Sequence, residues 1–375
     1  MRPRPLPILS RGRQLGCFES ECLSCHALPL CGGSESAPCG CIHDRPSLWK
    51  ECAACSLVWR ARQEPGGEEA PARFREELRS TGISWDLLRL EPTLTETLPP
   101  FVPLRTHELP EEARYAGSWV GADMKTIFTA RKGGSIRFRR WTRASRPEIA
   151  QVLRVEPGTR VLAVLNGSDD RLEGLWARDR GSVGARLVAM GAVAATGPTF
   201  SVYESDPSAH RVLMLLRHHR VLTDIQEIGL PVIPNLYWHS AEDRDRWTEV
   251  LAREPGAQMV SRDFSRTKQW QAFDRELAGV VEIISAVGRP LHLVAAGVGL
   301  MKAGRLLEAL RAIGCTGTVV SAGPIMMAIK KGERLVIQDE GVARYILDRK
   351  TPRSCLALRN LEVASEYLED LANEG

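Results

Sequence analysis

The sequence predicts an α/β fold: a (β/α) barrel-like domain, complete or partial, behind an N-terminal cysteine-rich module. Three observations carry this. From about residue 160, short apolar runs alternate with amphipathic stretches, the spacing of parallel strands joined by helical crossovers. The runs are continuously apolar, as expected of strands covered on both faces. Eight of the ten cysteines fall between Cys17 and Cys55, apart from this apolar body. An open doubly wound sheet fits the same pattern, and periodicity does not separate it from a barrel.

The elements divide the chain as follows. Residues 1–60 combine a Pro-rich tail, with Arg2, Arg4, Arg11 and Arg13 and no acid, and the cysteine module. Residues 61–75 are polar with Pro and Gly and read as a linker. Residues 76–375 have the composition of a folded α/β domain. Within it, strands are predicted at 160–167, within 192–203, at 230–238, 257–263, 291–299 and 317–323. Helices are predicted at 210–229, ending on Gly229, at 240–256, stopping at Pro255-Gly256, and at 302–315 and 324–332.

The cysteines imply metal. With no apolar run near the roughly 18–20 residues of a membrane span and no signal-peptide pattern at Met1, the expected location is cytoplasmic. In a reducing compartment, clustered thiols are metal ligands more often than disulfides. The spacing is Cys17-x4-Cys22-x2-Cys25-x5-Cys31, then Cys39-x-Cys41-x10-Cys52-x2-Cys55, two complete four-thiolate sets. The first set can wrap an iron–sulfur cluster, with Gly32 and Gly33 letting the backbone approach it. The second suits tetrahedral zinc. An all-zinc module stays open, because soft thiolates accept both metals. His26 and His43 are substitute ligands. Cys315 and Cys355 stand alone and read as a buried small hydrophobe and a surface thiol.

In α/β domains of either kind, function collects at the carboxyl ends of strands. Four predicted ends carry polar groups: Asn166 to Asp170, Tyr203 to Asp206, Asn235 to His239, and Ser261 to Asp263. Asp169, Asp170, Glu204, His239 and Asp263 are the candidate catalytic or divalent-ion groups; helix capping is the competing reading of Asp169. Two Gly-rich turns, Gly297-Val298-Gly299 and Ser321-Ala322-Gly323, each sit between a strand and a helix and are candidates for holding a ligand phosphate. Walker A, H-E-x-x-H, G-x-S-x-G and full dinucleotide patterns are absent from the sequence.

Net charge is only +4, but the basic residues are unevenly placed. Arg131, Lys132, Arg137, Arg139, Arg140, Arg143 and Arg146 cluster around Phe138 and Trp141. Arginine among aromatics suits phosphate contact with base stacking, so Arg131, Lys132, Arg137, Arg139, Arg140, Trp141 and Arg143 are candidate DNA or RNA contacts. A solvated hairpin turning at Gly133-Gly134 is the alternative.

The segment CLSCHALPLCGG resembles the auxiliary-cluster (SPASM) motif of radical-SAM enzymes and the cluster motif of certain iron–sulfur nucleases. In those nucleases the fourth cysteine lies far off in sequence, whereas Cys17 is close; a radical-SAM C-x3-C-x2-C triad is absent from the sequence. Over residues 160–335, DDRLEGLW, ATGPTFSVYESDP and GLPVIPNLYW resemble a family of uncharacterised bacterial, plasmid and phage proteins. That family has D-x-R-F-E-x-x-W, S-P-D-F-S-x-Y and G-x-x-V-I-P-x-x-x-W at these places. Leu172 stands where it has Phe, and Thr199 where it has Asp. The resemblance implies an α/β domain in a mobile-element setting and transfers no activity.

The expectation is a metal-binding protein linked to nucleic acid or nucleotides, with iron–sulfur or zinc as cofactor. Its partners would be DNA, RNA or a phosphate-bearing small molecule, and no membrane. An iron–sulfur enzyme using a cluster at 17–31 and a zinc-stapled, non-catalytic interaction or regulatory protein are the alternatives.

Overall fold

The computed structural model describes residues 90, 97–130, 136–178, 180–200, 208–238, 241–338 and 341–373. The eight clustered cysteines, the linker at 61–75, Arg131, Lys132, Glu204 and His239 lie outside the described residues. The chain divides into two units. Of the described residues, the smaller unit holds Phe200, 208–220 and 241–243, where the Arg217 guanidinium lies 5.7 Å over the Phe200 ring. The larger unit holds the rest and contains every strand among the described residues.

Eight strands of the larger unit run parallel: β1 (Phe101–Pro103), β2 (Trp119–Asp123), β5 (Arg160–Val164), β6 (Ala192–Thr196), β7 (Val232–Ile233), β8 (Met259–Asp263), β9 (His292–Ala296) and β10 (Thr316–Ser321). They form two four-stranded sheets, in the orders β1-β10-β9-β8 and β2-β5-β6-β7. Two isolated parallel bridges join strands of the different sheets: Leu104↔Gly121 continues from β1 to β2, and Asn235↔Ser261 from β7 to β8. One apolar cluster draws on all eight strands, with Val102, Trp119, Leu162, Ala194, Ile233, Met259, Val294 and Val320 among its members. The predicted α/β class with parallel strands is therefore present.

Helices follow most strands. They are α1 (Met124–Ile127), α2 (Arg146–Leu153), α3 (Asp169–Trp176), α4 (Arg180–Ala189), α5 (Ser208–Gln226), α6 (Ala241–Arg253), α7 (Trp270–Val287), α8 (Leu300–Arg311) and α9 (Gly323–Met326). The last passes into a π-helical turn, Met327–Lys331, that stops at Gly332 with φ 68°. Helix α7 shows how sequence sets an element. Its buried Phe273, Leu277, Val280, Ile283 and Ile284 recur at helical spacing, and Gly288 caps it in the left-handed region.

Beyond the parallel strands lie two antiparallel hairpins. One is β3 (Phe128–Ala130) with β4 (Ile136–Phe138), flanking the expected turn at Gly133-Gly134. The other is β11 (Glu333–Ile337) with β12 (Ala343–Leu347), followed by α10 (Arg353–Asn373). Asn360 of α10 is fully buried and ties these parts together. Its Oδ1 accepts from the Leu335 N–H (2.7 Å), and its Nδ2 donates to the Pro324 and Glu333 carbonyls (both 3.0 Å).

Boundaries differ from the sequence reading where backbone chemistry intervenes. The strand expected over 230–238 is only Val232–Ile233, because Pro231 and Pro234 have no N–H for the ladder. Both prolines still accept there, from Ala195 N (2.9 Å) and Ser261 N (2.8 Å). Helix α8 begins at Leu300, two residues earlier than expected, with Gly299 as its N-cap. Cys315 is buried and Cys355 exposed, as their settings in sequence suggested. Among the described residues, no helix is long and apolar enough to cross a membrane.

Candidate strand-end site

The site is built at the carboxyl ends of β9, β10, β1 and β2. Strand β1 runs into Leu104, whose N–H donates to the Ser321 carbonyl at the end of β10 (2.9 Å). The next residue, Arg105, has φ 63°. Only Arg105 and Arg154 take positive φ among the described non-glycine residues. Arg154 closes helix α2 as its C-cap, a common use of that conformation. Arg105 instead precedes a short 3-10 turn, Thr106–Glu108, as a strained strand-end residue.

Its guanidinium is loosely held. Nε lies 3.4 Å from Asp123 Oδ2, Nη1 lies 3.9 Å from Glu108 Oε1, and Nη1 lies 3.9 Å from Met326 Sδ. All three are long for hydrogen bonds, and Nη2 takes part in none of them. Asp123 is better satisfied on its other oxygen, Oδ1, which accepts from Thr126 N (2.7 Å) and Thr126 Oγ1 (2.6 Å) and so caps α1.

Ser321 and Tyr345 face the same turn. Ser321 is buried and its Oγ accepts from Gly323 N–H (3.1 Å), which leaves the hydroxyl proton to donate. Tyr345 arrives from β12. A Cβ at Gly323 would lie 3.2 Å from both Ser321 Oγ and Tyr345 Oη, so glycine there admits both hydroxyls. The Tyr345 hydroxyl is buried without a hydrogen-bond partner among the described residues. Burial, and secondarily Glu333, pushes its pKa up, so it stays a donor. Ser321 and Tyr345 thus offer donors beside Gly323, and the Arg105 guanidinium reaches the same short helix at Met326.

The two glycines of the 297–299 turn differ. Gly297 has φ 75°, and a Cβ there would lie 2.7 Å from Ser265 N, so the glycine is required where the loop after β8 crosses it. Gly299 has φ −75°, and a Cβ there would meet nothing within 4 Å. Lys302, in the first turn of α8, is turned aside: its Nζ donates to the Thr267 and Lys268 carbonyls (2.7 and 2.8 Å).

A second polar group lies at the ends of β5, β6 and β7. Asn235 Nδ2 donates to Asn166 Oδ1 (2.9 Å) and contacts Thr199 Oγ1. Leu165 N–H donates to Thr196 Oγ1 (3.2 Å). Two of the strand ends expected from sequence therefore meet through Asn166 and Asn235, and Thr199 joins them.

Of the candidate catalytic groups, Asp169, Asp170 and Asp263 are among the described residues. Asp169 opens α3, exposed, 3.9 Å from Arg266. Asp170 follows it in α3. Asp263 accepts from the Ser265 N–H (2.8 Å) and shapes the loop after β8. Its neighbour Arg262 stacks 4.1 Å from the Trp238 ring centroid, donates to the Leu236 carbonyl (2.7 Å) and pairs with Glu276. Among the described residues, no group of three or more His, Cys, Asp and Glu could hold a metal ion.

Arg105, Asp123 and Tyr345 escaped sequence reading. The usable signal was the apolar run FVPL at 101–104, which ends in Arg105 as a strand would. No protein-family model and no curated protein matches this sequence.

Proposed function

We propose that the eight parallel strands form one closed (β/α) barrel, and that its carboxyl-end mouth binds a phosphate-bearing small molecule. The two bridges between the sheets and the apolar cluster shared by all eight strands support closure. In chain order β9 and β10 are then the seventh and eighth barrel strands, whose loops commonly hold phosphate in such barrels. The observation that carries the ligand reading is the buried Tyr345 hydroxyl, without a hydrogen-bond partner among the described residues, beside Gly323 and the Ser321 hydroxyl, with the loosely held Arg105 guanidinium at the same mouth. A phosphate offers several acceptor oxygens and pairs well with guanidinium. The positive φ of Arg105 costs on the order of 1–3 kcal/mol, as expected where a site fixes a side chain against local preference. In the same reading the cysteine segment adds iron–sulfur or zinc to this scaffold.

The test is isothermal titration of the full chain with inorganic phosphate, pyrophosphate and AMP, for the wild type and for Arg105→Gly, Ser321→Ala and Tyr345→Phe. Glycine at 105 relieves the backbone strain, so folding stability should hold. Losing the charge-assisted contact, worth about 1.5–3 kcal/mol, should weaken binding at least tenfold. Unchanged affinity in all three variants would dispose of the site.

A further inference from the structure

The basic segment forms a groove of its own beside the strand-end site: His107, which lines it, lies within electrostatic reach of Arg105 and Asp123. Its floor is set by local chemistry. After β4, residues Arg140–Arg143 make one 3-10 turn. Thr142 turns inward, buried, and its Oγ1 donates to the Arg139 carbonyl (2.8 Å). Helix α2 starts at once, because Glu148 Oε2 accepts from both Ser145 N (2.8 Å) and Ser145 Oγ (2.7 Å) in a capping box. The hairpin that precedes the turn is pinned from behind: Arg178 donates to the Ile136 carbonyl (2.9 Å from Nε) and lies 5.8 Å over the Phe138 ring.

This arrangement leaves two cavities, about 850 and 410 Å³, that share Arg139, Trp141, Gln151 and Val152 as walls. Arg140 and Arg143 complete the larger, while His107, Glu111 and Arg154 line the smaller. Arg139, Arg140 and Arg143 are exposed, and none of them forms an ion pair among the described residues. Arg139 is oriented through Nε to the Lys125 carbonyl (3.1 Å). The two carboxylates that line the cavities are engaged elsewhere: Glu148 by Ser145, and Glu111 by Arg154 at 3.4 Å. In the smaller cavity, His107 Nδ1 is buried without a hydrogen-bond partner among the described residues. Burial, the dominant cause, lowers the His107 pKa, so the ring is neutral near pH 7 and one nitrogen can accept.

We propose that this groove is a single-stranded nucleic-acid site. Trp141, half-buried between the two cavities, stacks one base, and Arg139, Arg140 and Arg143 contact the flanking backbone phosphates. Three features favour that ligand over others. Each cavity alone falls in the roughly 300–1,000 Å³ of a small-molecule pocket, so two lobes meeting at one ring suit successive units of a polymer. Cations beside an aromatic ring match the alternating phosphate and base of a single strand. A duplex keeps its bases stacked inside and offers no face to Trp141. An acidic peptide would use the arginines but not the ring.

The experiment is fluorescence anisotropy of end-labelled single-stranded 12-mers, one DNA and one RNA, with the full chain across a salt series. Trp141→Ala should weaken binding about tenfold, while Trp141→Phe, which keeps a stacking face, should retain most of it. Arg140→Ala with Arg143→Ala, both exposed, should lower the slope of log affinity against log salt by about 1.4, at roughly 0.7 per phosphate contact of a single strand. The Ser321→Ala variant, which leaves Arg105 and the His107 turn intact, should bind the 12-mers like wild type, which keeps this site's outcome separate from the strand-end site's. Failure to bind, binding untouched by all three groove variants, or poly-glutamate competing as well as the 12-mers with Trp141→Ala indifferent would each overturn the proposal.

Discussion

Replacing Gly279 by alanine should destabilise the protein, although alanine is the better helix former. Gly279 lies within α7 and is buried. A Cβ there would stand 2.4 Å from Trp238 Cζ2 and 3.0 Å from Cε2, roughly 1 Å inside ordinary carbon contact. The indole has no easy retreat. Arg262 covers it at 4.1 Å, and Arg262 is itself anchored to the Leu236 carbonyl and to Glu276. Overpacking of this kind costs about 1–3 kcal/mol. Swinging the ring away would also lose a cation–π contact worth about 0.5–2 kcal/mol. Against this, glycine-to-alanine in a helix contributes about 1 kcal/mol. The net is a loss of roughly 0.5–4 kcal/mol. Gly304 in α8 is the control: a Cβ there meets Tyr367 Oη at 3.4 Å and Leu371 Cδ1 at 3.7 Å, ordinary contacts. Gly304→Ala should therefore stabilise by up to about 1 kcal/mol. Urea unfolding followed by far-UV circular dichroism gives both midpoints. If Gly279→Ala matches or exceeds wild type, the notch for Trp238 is not what the glycine provides, and the reasoning fails.

Three further outcomes follow from single groups. Asn360→Ala strands the buried Leu335 N–H and the Pro324 and Glu333 carbonyls, at a cost of about 2–4 kcal/mol, and hydrogen exchange at the Leu335 amide should quicken markedly. His292 bonds through both ring nitrogens to Thr316 and Thr318 (both 2.8 Å), and burial brings its pKa down from 6.5 to about 4. The unfolded chain then binds the proton first, so stability is full above pH 6.5 and falls as pH drops towards 4. One ring edge is partly exposed, so the loss is on the order of 1–3 kcal/mol, and His292→Gln should flatten that limb of the pH–stability curve. Gly297→Ala should cost at least about 2 kcal/mol, since its Cβ would strike the Ser265 backbone and φ is 75°, whereas Gly299→Ala, with open space around it, should stay within about 0.5 kcal/mol in the same unfolding assay.

Much of the scaffold was legible because local pattern and tertiary role agree. The run at 291–299 is apolar because β9 is covered on both faces, and Gly297 breaks it where positive φ is needed. The basic hairpin was legible from Gly133-Gly134 between short apolar strands, and β3 and β4 pair antiparallel on either side. The strand at 230–238 was overextended, because periodicity registers Val232, Ile233, Leu236 and Tyr237 but not the donors that Pro231 and Pro234 lack. Arg105 and Tyr345 were illegible for a different reason. Neither has a motif; they meet Ser321 only because β1 pairs with β10 and the β11–β12 hairpin folds back towards Gly323. Asp169 and Asp263 looked catalytic from strand-end position alone. Asp263 accepts from the Ser265 N–H in its own loop, and Asp169 is the first residue of α3, with Ser168 rather than Asp169 at the N-cap.

The measurement that tests the central claim most directly is a crystal structure of the full chain soaked with AMP at saturating concentration. Phosphate density bonded to the Arg105 guanidinium, Ser321 Oγ and Tyr345 Oη beside Gly323 is the expected result. A saturated crystal with that turn empty, or with AMP held at another strand end, would contradict it.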